Sequence, residues 1–192
     1  MAARQRALEP AIFLDRDGVI IENRRNYVRS WADVEIYAQA LEALASVRLS
    51  PHKIIIITNQ SLVGRGIISL AVATAVNEQL VATIHRAGGR VDDVFMCPHA
   101  PADHCECRKP RPGLILQAAR AHAIDLSRSI MIGDALTDVM AGRAAGVGRS
   151  ILVYTGRGRD QAQLPEAAHL APLQIYDTLK AALEDLKGGQ VT

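Results

Sequence analysis

The sequence has no excess of charge of one sign and no long apolar run, and both absences exclude classes of function. Its 192 residues include 22 Lys and Arg against 20 Asp and Glu, which gives a formal net charge of +2. This balance removes the electrostatic case for a dedicated nucleic-acid-binding protein. No apolar run approaches the roughly 18–20 residues of a membrane-spanning helix. The first ten residues also lack the apolar core of a signal peptide. We therefore expect a soluble, cytoplasmic protein without a membrane partner. We also expect it to act as a monomer.

Cysteine is scarce, and the few cysteines lie close together. Cys97-Pro-His99 is followed, five residues later, by Cys105-Glu-Cys107. An odd number of cysteines cannot all pair internally, and in a reducing compartment such a group is more often metal-binding or catalytic. Three thiolates and one imidazole form the closed ligand set of a structural zinc. Free buried thiols are the alternative, and His104 is a competing ligand.

Length and hydrophobic periodicity predict a single α/β domain over residues 1–192. Short apolar runs predict buried strands at 11–14, 53–57, 91–96, 129–132 and 150–154. Helical patterns occur at 39–49, 70–87, 112–123, 136–145 and 175–186. This alternation predicts a Rossmann-like parallel sheet with helices on both faces. In such folds ligands bind beyond the carboxyl ends of the strands.

Two connections contain no predicted helix and are long for a compact domain. They run over residues 16–35 and 97–111. Connections of this length are usually functional. Neither has room for a large cap domain, so we expect an open site that takes small substrates. The zinc would shape the second connection and hold Arg108 and Lys109 over the acidic groups described next.

Aspartates follow two of the predicted strands. Asp15 and Asp17 come directly after the first strand, and Asp134 and Asp138 follow the fourth. Because the carboxyl ends of parallel strands lie at one edge, these carboxylates are expected to converge. Such a group of like charges needs a cation, and oxygen ligands suit a divalent ion such as Mg²⁺. A lone Asp-x-Asp is most often a solvated turn, but two groups at strand ends favour a site.

Two further groups are expected near this edge. The second strand ends in Thr58-Asn59-Gln60-Ser61, whose hydroxyl and amide groups could donate to an anion. Thr-Asn at a strand end is also ordinary turn chemistry. Lys109 closes the second long connection, and the neighbouring prolines at 110 and 112 favour a fixed position for it over a free surface lysine. Residues 156–159, Gly-Arg-Gly-Arg, lack the ending of a phosphate-binding loop and are interpreted as a flexible turn.

Taken in order, these groups resemble the four motifs of the haloacid dehalogenase (HAD) superfamily. The resemblance covers the chain from about residue 15 to residue 138, and it implies phosphatase chemistry. Asp15 would be the nucleophile that forms an aspartyl-phosphate. Asp17 would protonate the leaving alkoxide and then deprotonate the hydrolytic water. Thr58 and Lys109 would stabilise the phosphoryl oxygens.

The same resemblance implies how Mg²⁺ would be held. Its ligands would be the Asp15 carboxylate, the Asp17 main-chain carbonyl and Asp134, with Asp138 in support. An aspartate at position 17 is typical of the phosphatases of this superfamily, since their leaving group needs an acid.

The cysteine-containing connection is similar to that of two HAD subfamilies, the heptose-1,7-bisphosphate phosphatases and the histidinol-phosphate phosphatases. Residues 58–61 with 64–66, 109–113 and 26–28 favour the heptose subfamily. Leu62 departs from that subfamily, which usually has glycine there. By resemblance Arg108 would recognise substrate, and Asn59, Gln60 and Ser61 would line its pocket. The segment 23–27 would contact the sugar.

The predicted function is therefore Mg²⁺-dependent removal of the 7-phosphate from a small sugar bisphosphate. Two alternatives remain at this stage. The first is the same chemistry on histidinol phosphate or another small phosphomonoester. The second is a non-catalytic module that binds phosphate groups, which the intact Asp15 and Asp17 pair disfavours.

Overall fold

A computed structural model describes residues 8–188, in which strands alternate with helices. The strands are β1 (Ala11–Leu14), β2 (Lys53–Asn59), β3 (Asp93–Cys97), β4 (Ile130–Gly133), β5 (Arg149–Val153) and β6 (Gln174–Tyr176). The helices are α1 (Ala38–Ser46), α2 (Ser61–Gly64), α3 (Leu70–Arg86), α4 (Gly113–His122), α5 (Leu136–Ala145), α6 (Gly158–Ala162), α7 (Pro165–His169) and α8 (Leu179–Gly188).

All six strands pair in parallel, in the order β3-β2-β1-β4-β5-β6. The predicted parallel sheet with helices on both faces is confirmed. The prediction at the C-terminal end was wrong, because residues 174–176 form a sixth strand and the last helix begins only at Leu179. Ile175 lies four residues before Leu179, so the apolar pattern of α8 extends back into this short edge strand. Helices α2, α6 and α7 were also missed, since they have only four or five residues each.

Alternate residues of each central strand pack on opposite faces of the sheet. Ile12, Leu14, Ile54 and Ile56 face the core formed with α1, α3 and α8. Their neighbours in sequence, Phe13 among them, face the core formed with α4 and α5. Burial of one such side chain contributes about 1.5–3 kcal/mol. Both faces of the sheet are therefore covered, which explains why the strands are continuous apolar runs.

The topology places the expected site at the carboxyl ends of the central strands. β1 has β2 on one side and β4 on the other. The chain leaves the ends of β1 and β4 in opposite directions, so a crevice remains between these two connections. Leu14, the last residue of β1, is in register with Ile56 and Ile132, and β4 continues for one more residue and β2 for three. The two long connections carry only short 3₁₀ turns, at Trp31–Asp33 and Pro101–Asp103. Within residues 8–188, no helix combines the length and hydropathy required to cross a bilayer.

Candidate active site

Three aspartates meet at the carboxyl edge of the sheet. Asp15 follows β1, Asp134 follows β4, and Asp138 lies in the first turn of α5. Each is at most 5% exposed, and each offers a carboxylate oxygen within 4.8 Å of the others. The Asp138 carboxylate also accepts a hydrogen bond from the Ala135 amide at 3.0 Å, which fixes the start of α5. The two aspartate motifs are thus neighbours in space, although they are more than a hundred residues apart in the chain.

Lys109 is the cation that lies between two of these carboxylates. Its Nζ is 2.7 Å from Asp15 Oδ1 and 2.6 Å from Asp138 Oδ1, and it donates to the Ile57 carbonyl at 2.8 Å. Burial alone would lower the pKa of Lys109, but the two carboxylates raise it above its ordinary value. Asn59 holds the Lys109 backbone through two bonds, of 3.1 and 3.2 Å. The amide of Asn59 is therefore occupied in placing the lysine.

The cluster carries more negative charge than its lysine balances. Burial raises the pKa of Asp15 to about 7, with Lys109 opposing this shift and Asp138 and Asp134 adding to it. Burial also raises the pKa of Asp138. Buried carboxylates are normally paired or bound to metal. Hard oxygen donors at this spacing fit a divalent cation such as Mg²⁺.

Asp17 lies beside this cluster, and its carboxylate is not part of it. Its side chain is 24% exposed, faces the cavity and accepts two hydrogen bonds from Arg16. Gln60 Nε2 donates to Asp17 Oδ2 at 3.0 Å and to Thr58 Oγ1 at 2.8 Å. Thr58 is fully buried at the end of β2. Gln60 thus joins two of the residues that the motifs singled out.

Arg157 was missed by the sequence reasoning, and the interpretation of residues 156–159 as a flexible turn was incomplete. Its backbone amide and Nε donate to Asp134 Oδ2, at 2.8 and 3.2 Å, and its Nη2 donates to Oδ1 at 3.1 Å. Gly156 has φ +58°, and a Cβ there would collide with Asp134. A usable signal existed, because this turn follows β5 and must lie at the same sheet edge as the residues after β4.

A cavity of about 220 Å³ opens over the carboxylates. The residues after β2, including Ser61 and Leu62, form one side of it. The first long connection contributes Asn23, Arg24 and Tyr27. Arg108, Lys109 and Arg157 also line it, so four cationic side chains surround a small space. Cavities for drug-sized ligands begin at roughly 300 Å³, so this one suits a small anionic molecule.

A second cluster lies at the end of β3 and in the connection that follows. The Sγ atoms of Cys97, Cys105 and Cys107 are 3.2–3.5 Å apart, and His99 Nδ1 is 3.2 Å from Cys107 Sγ. The three cysteines are not cross-linked. Zn–S bonds of about 2.3 Å place two ligands of a tetrahedron roughly 3.8 Å apart, which is close to this spacing. Burial raises the pKa of Cys97, so its thiolate form needs a metal or another cation. His104 is outside this metal-ligand set.

The thiol cluster is directly connected to the carboxylate cluster. Cys107 is two residues before Lys109, and Arg108 Nη1 is 3.5 Å from the His99 carbonyl. Helix α2 packs against the same connection, since a Cβ at Gly64 would collide with the backbone of Ala100. A metal held by the thiols would therefore fix the segment that carries Arg108 and Lys109.

Comparison with known proteins also indicates a HAD-like phosphatase. Residues 106–182 match the Hydrolase_like family, described as HAD-hydrolase-like. The chain is 35% identical over 178 residues to D-glycero-beta-D-manno-heptose-1,7-bisphosphate 7-phosphatase from Bordetella bronchiseptica, covering 91% of this chain and 96% of that protein. It is 42% identical over 144 residues to the enzyme of the same name from Helicobacter pylori, covering 74% and 82%.

A solved structure agrees over nearly the whole chain. The crystal structure of D,D-heptose 1,7-bisphosphate phosphatase from B. bronchiseptica, complexed with magnesium and phosphate, superposes with a TM-score of 0.85. It is 33% identical, and the match covers 94% of this chain and 99% of that one. The resemblance to the HAD superfamily is confirmed.

Proposed function

This chain belongs to the family of D-glycero-β-D-manno-heptose-1,7-bisphosphate 7-phosphatases, and on that premise we propose that it removes the 7-phosphate of this bisphosphate. It is a phosphoric monoester hydrolase that works through an aspartyl-phosphate on Asp15. The observation that carries the proposal is the buried cluster of Asp15, Asp134 and Asp138, two of which pair with Lys109, beneath a small cavity to which four cationic side chains contribute.

In the first step, an Asp15 carboxylate oxygen attacks phosphorus and the bond from phosphorus to the sugar oxygen breaks. Asp17 donates a proton to the departing sugar alkoxide. In the second step, the Asp17 carboxylate takes a proton from water, and this water attacks phosphorus. Inorganic phosphate leaves and the Asp15 carboxylate is restored. Thr58 and Lys109 stabilise the phosphoryl oxygens during both steps.

Two metals fit the donor sets. Mg²⁺ would be held by the carboxylates of Asp15 and Asp134 and the main-chain carbonyl of Asp17, with Asp138 in support. When bound, it supplies positive charge that offsets the repulsion between the nucleophile and the phosphate dianion. Zn²⁺ would be held by the closed Cys₃His set, where it has a structural role.

Recognition of the second phosphate is assigned to Arg108. It lines the cavity, and its 3.5 Å contact with the His99 carbonyl is long for a hydrogen bond. A guanidinium forms a fork that matches phosphate oxygens. Gln60 and Ser61 line the same space, as do Asn23, Arg24 and Tyr27 of the 23–27 segment, and these residues would contact the sugar.

The cellular setting is part of the proposal. The uncross-linked thiols of the second cluster are suited to the reducing cytoplasm. The substrate is a small phosphorylated sugar, and the enzyme acts on it as a monomer, without nucleic acid or membrane. Size-exclusion chromatography with light scattering tests the monomer, and a mass near 20.7 kDa is expected.

The experiment that tests the function is a substrate panel. Phosphate release is measured from heptose 1,7-bisphosphate, from heptose 1-phosphate and from histidinol phosphate, with and without Mg²⁺. The bisphosphate should have the highest kcat/KM, heptose 1-phosphate should be left intact, and omission of Mg²⁺ should stop turnover. Higher kcat/KM on histidinol phosphate would replace the proposed substrate, and binding of the sugar phosphates without turnover would replace the activity.

A further inference from the structure

Arg16 lies between the two aspartates of the first motif, yet its side chain is only 1% exposed. It is on the α3 side of the sheet, where Ile12 and Leu14 face the same core. An arginine is rarely buried this deeply unless its charge is paired, because removing a guanidinium from water is costly. The function proposed above gives this residue no role.

The guanidinium of Arg16 holds Asp17 with a fork. Nε donates to Asp17 Oδ2 and Nη2 donates to Oδ1, each at 3.0 Å. Paired bonds of this kind fix the orientation of a carboxylate as well as its position. Gln60 adds a third bond on Oδ2. Among residues 8–188, Arg16 is the donor to Oδ1.

The third arm of the guanidinium is anchored on α3. Nη1 donates to Asn77 Oδ1 at 2.8 Å, and Asn77 is 6% exposed. The Asn77 amide nitrogen in turn contacts Met96 Sδ on β3, at 3.6 Å. Asp17 is thus connected through Arg16 to a helix and an edge strand, which lie outside the connection that carries the motif.

From this geometry we infer that Arg16 is a positioning residue for Asp17, and that Asn77 is its anchor. The fork keeps the Asp17 carboxyl in a fixed orientation at the cavity, where the leaving oxygen arrives. This inference rests on the proposed function, because it requires Asp17 to be the proton donor. A misplacement of about 1 Å can cost on the order of 10²-fold in rate, so a fixed carboxyl is a large advantage.

The effect of losing this positioning depends on the leaving group. A sugar alkoxide is a poor leaving group and needs the proton of Asp17 as the bond to phosphorus breaks. A 4-nitrophenolate ion is stable without a proton. Loss of positioning should therefore reduce turnover of the sugar phosphate far more than turnover of 4-nitrophenyl phosphate. A loss of folded protein would reduce both equally.

The test measures kcat/KM on the heptose bisphosphate and on 4-nitrophenyl phosphate, since kcat/KM reports the step in which the leaving group departs. Arg16→Met keeps the apolar stem and removes the fork. It should lower kcat/KM on the sugar by about 10–100-fold, within the general-acid range, and on the nitrophenyl ester by less than about threefold. Arg16→Lys and Asn77→Leu should show the same selectivity with smaller losses, because each keeps part of the array.

Two controls separate the possible outcomes. Val76→Ala removes volume from α3 beside Asn77. If it lowers kcat/KM at all, it should lower it equally on both substrates. Asp17→Asn should show the largest selectivity. If it shows none, Asp17 is not the acid and both the proposed mechanism and this inference fail. If Asp17→Asn is selective but the Arg16 and Asn77 variants are not, only the inference fails. Should Arg16→Met not fold by circular dichroism and thermal unfolding, the other two variants decide.

Discussion

The two clusters of potential metal ligands differ in how the chain assembles them. The carboxylates come from positions 15, 134 and 138, so they meet only when the sheet has formed. The thiols and imidazole come from one segment of eleven residues, 97–107. All three carboxylates are buried, whereas Cys97 is the only buried member of the thiol cluster. One site thus depends on the whole fold, and the other depends on a single connection.

This difference gives the carboxylate cluster a catalytic role and the thiol cluster a structural one. Four ligands complete the coordination of zinc and leave no place for a substrate. Three carboxylates leave positions free on an ion that prefers six oxygen ligands, so a phosphate can join them. Lys109 connects the two clusters, since it lies two residues after Cys107 and contacts Asp15 and Asp138. The comparison therefore predicts complete loss of turnover at the first site and partial loss at the second.

The largest effect is expected from Asp15→Asn. An amide cannot attack phosphorus as a carboxylate does, so phosphate release should fall by at least about 10⁴-fold, the range seen when a nucleophile is removed. The fold should remain, because the substitution removes a buried carboxyl whose pKa is raised. Phosphate release and thermal unfolding are measured together.

Asp125→Asn is a matched control for Asp15→Asn, because it changes the same functional group at a half-buried position outside the cavity lining. It should keep full activity. Turnover by Asp15→Asn within tenfold of wild type would show that the nucleophile lies elsewhere, and the comparison of the two clusters would fail.

A smaller loss is expected from Lys109→Met. The phosphoryl oxygens lose one cationic donor, which typically costs about 10²–10³-fold in kcat. The Tm should also fall, because Asp15 and Asp138 lose their common ion-pair partner. Steady-state kinetics and calorimetry measure the two effects.

Arg108→Gln is the neighbouring control for Lys109→Met. It should mainly raise KM for the bisphosphate, because Arg108 is assigned to the second phosphate, and its kcat should change less. If Lys109→Met raised KM alone, the lysine would belong to substrate binding and not to the reacting phosphate.

Zinc removal should produce a partial loss. Cys105→Ser weakens the closed ligand set and loosens the segment that holds Arg108 and Lys109, so turnover should fall by on the order of 10–100-fold through misplacement. Zinc content by elemental analysis and the Tm should fall in parallel. His104→Ala, beside it but outside the ligand set, should change neither. Complete loss of turnover in folded, zinc-free protein would give the thiol cluster a direct catalytic role.

The sequence predicts this site well where local pattern and topology agree. Asp15 and Asp134 each follow a short apolar run, and once a parallel sheet is inferred the two must share an edge. The thiol cluster was predictable because its ligands are close in sequence. The predicted helix at 175–186 began too early, because β6 is only three residues long and its apolar residues fit a helical period.

Contacts made by ordinary surface-like residues are harder to predict than the motifs. Arg157 reaches Asp134 because the turn after β5 approaches closely at Gly156, which no motif marks. The pairing of Arg16 with Asn77 joins positions 61 residues apart on elements whose relative placement only the fold provides. Side chains that support a site are therefore harder to find than those that carry its chemistry, because support is not constrained to one residue type.

The smallest expected effect is a pH dependence of stability to which the carboxylate cluster contributes and the thiol cluster does not. Without Mg²⁺, the pKa of Asp15 is about 7 when folded, above its ordinary value of 3.8. From about pH 4 to 7 the unfolded chain has lost this proton and the folded protein retains it, so the free energy of unfolding falls as pH rises. The contribution is fully present below about pH 4 and lost above about pH 7.

Thermal unfolding in Mg²⁺-free buffer without chelator should show a Tm lower by several degrees at pH 8 than at pH 5, at about 2–4 °C per kcal/mol. Asp15→Asn should flatten this slope and Cys105→Ser should leave it unchanged, whereas an equal slope in wild type and Asp15→Asn would show that other groups cause it.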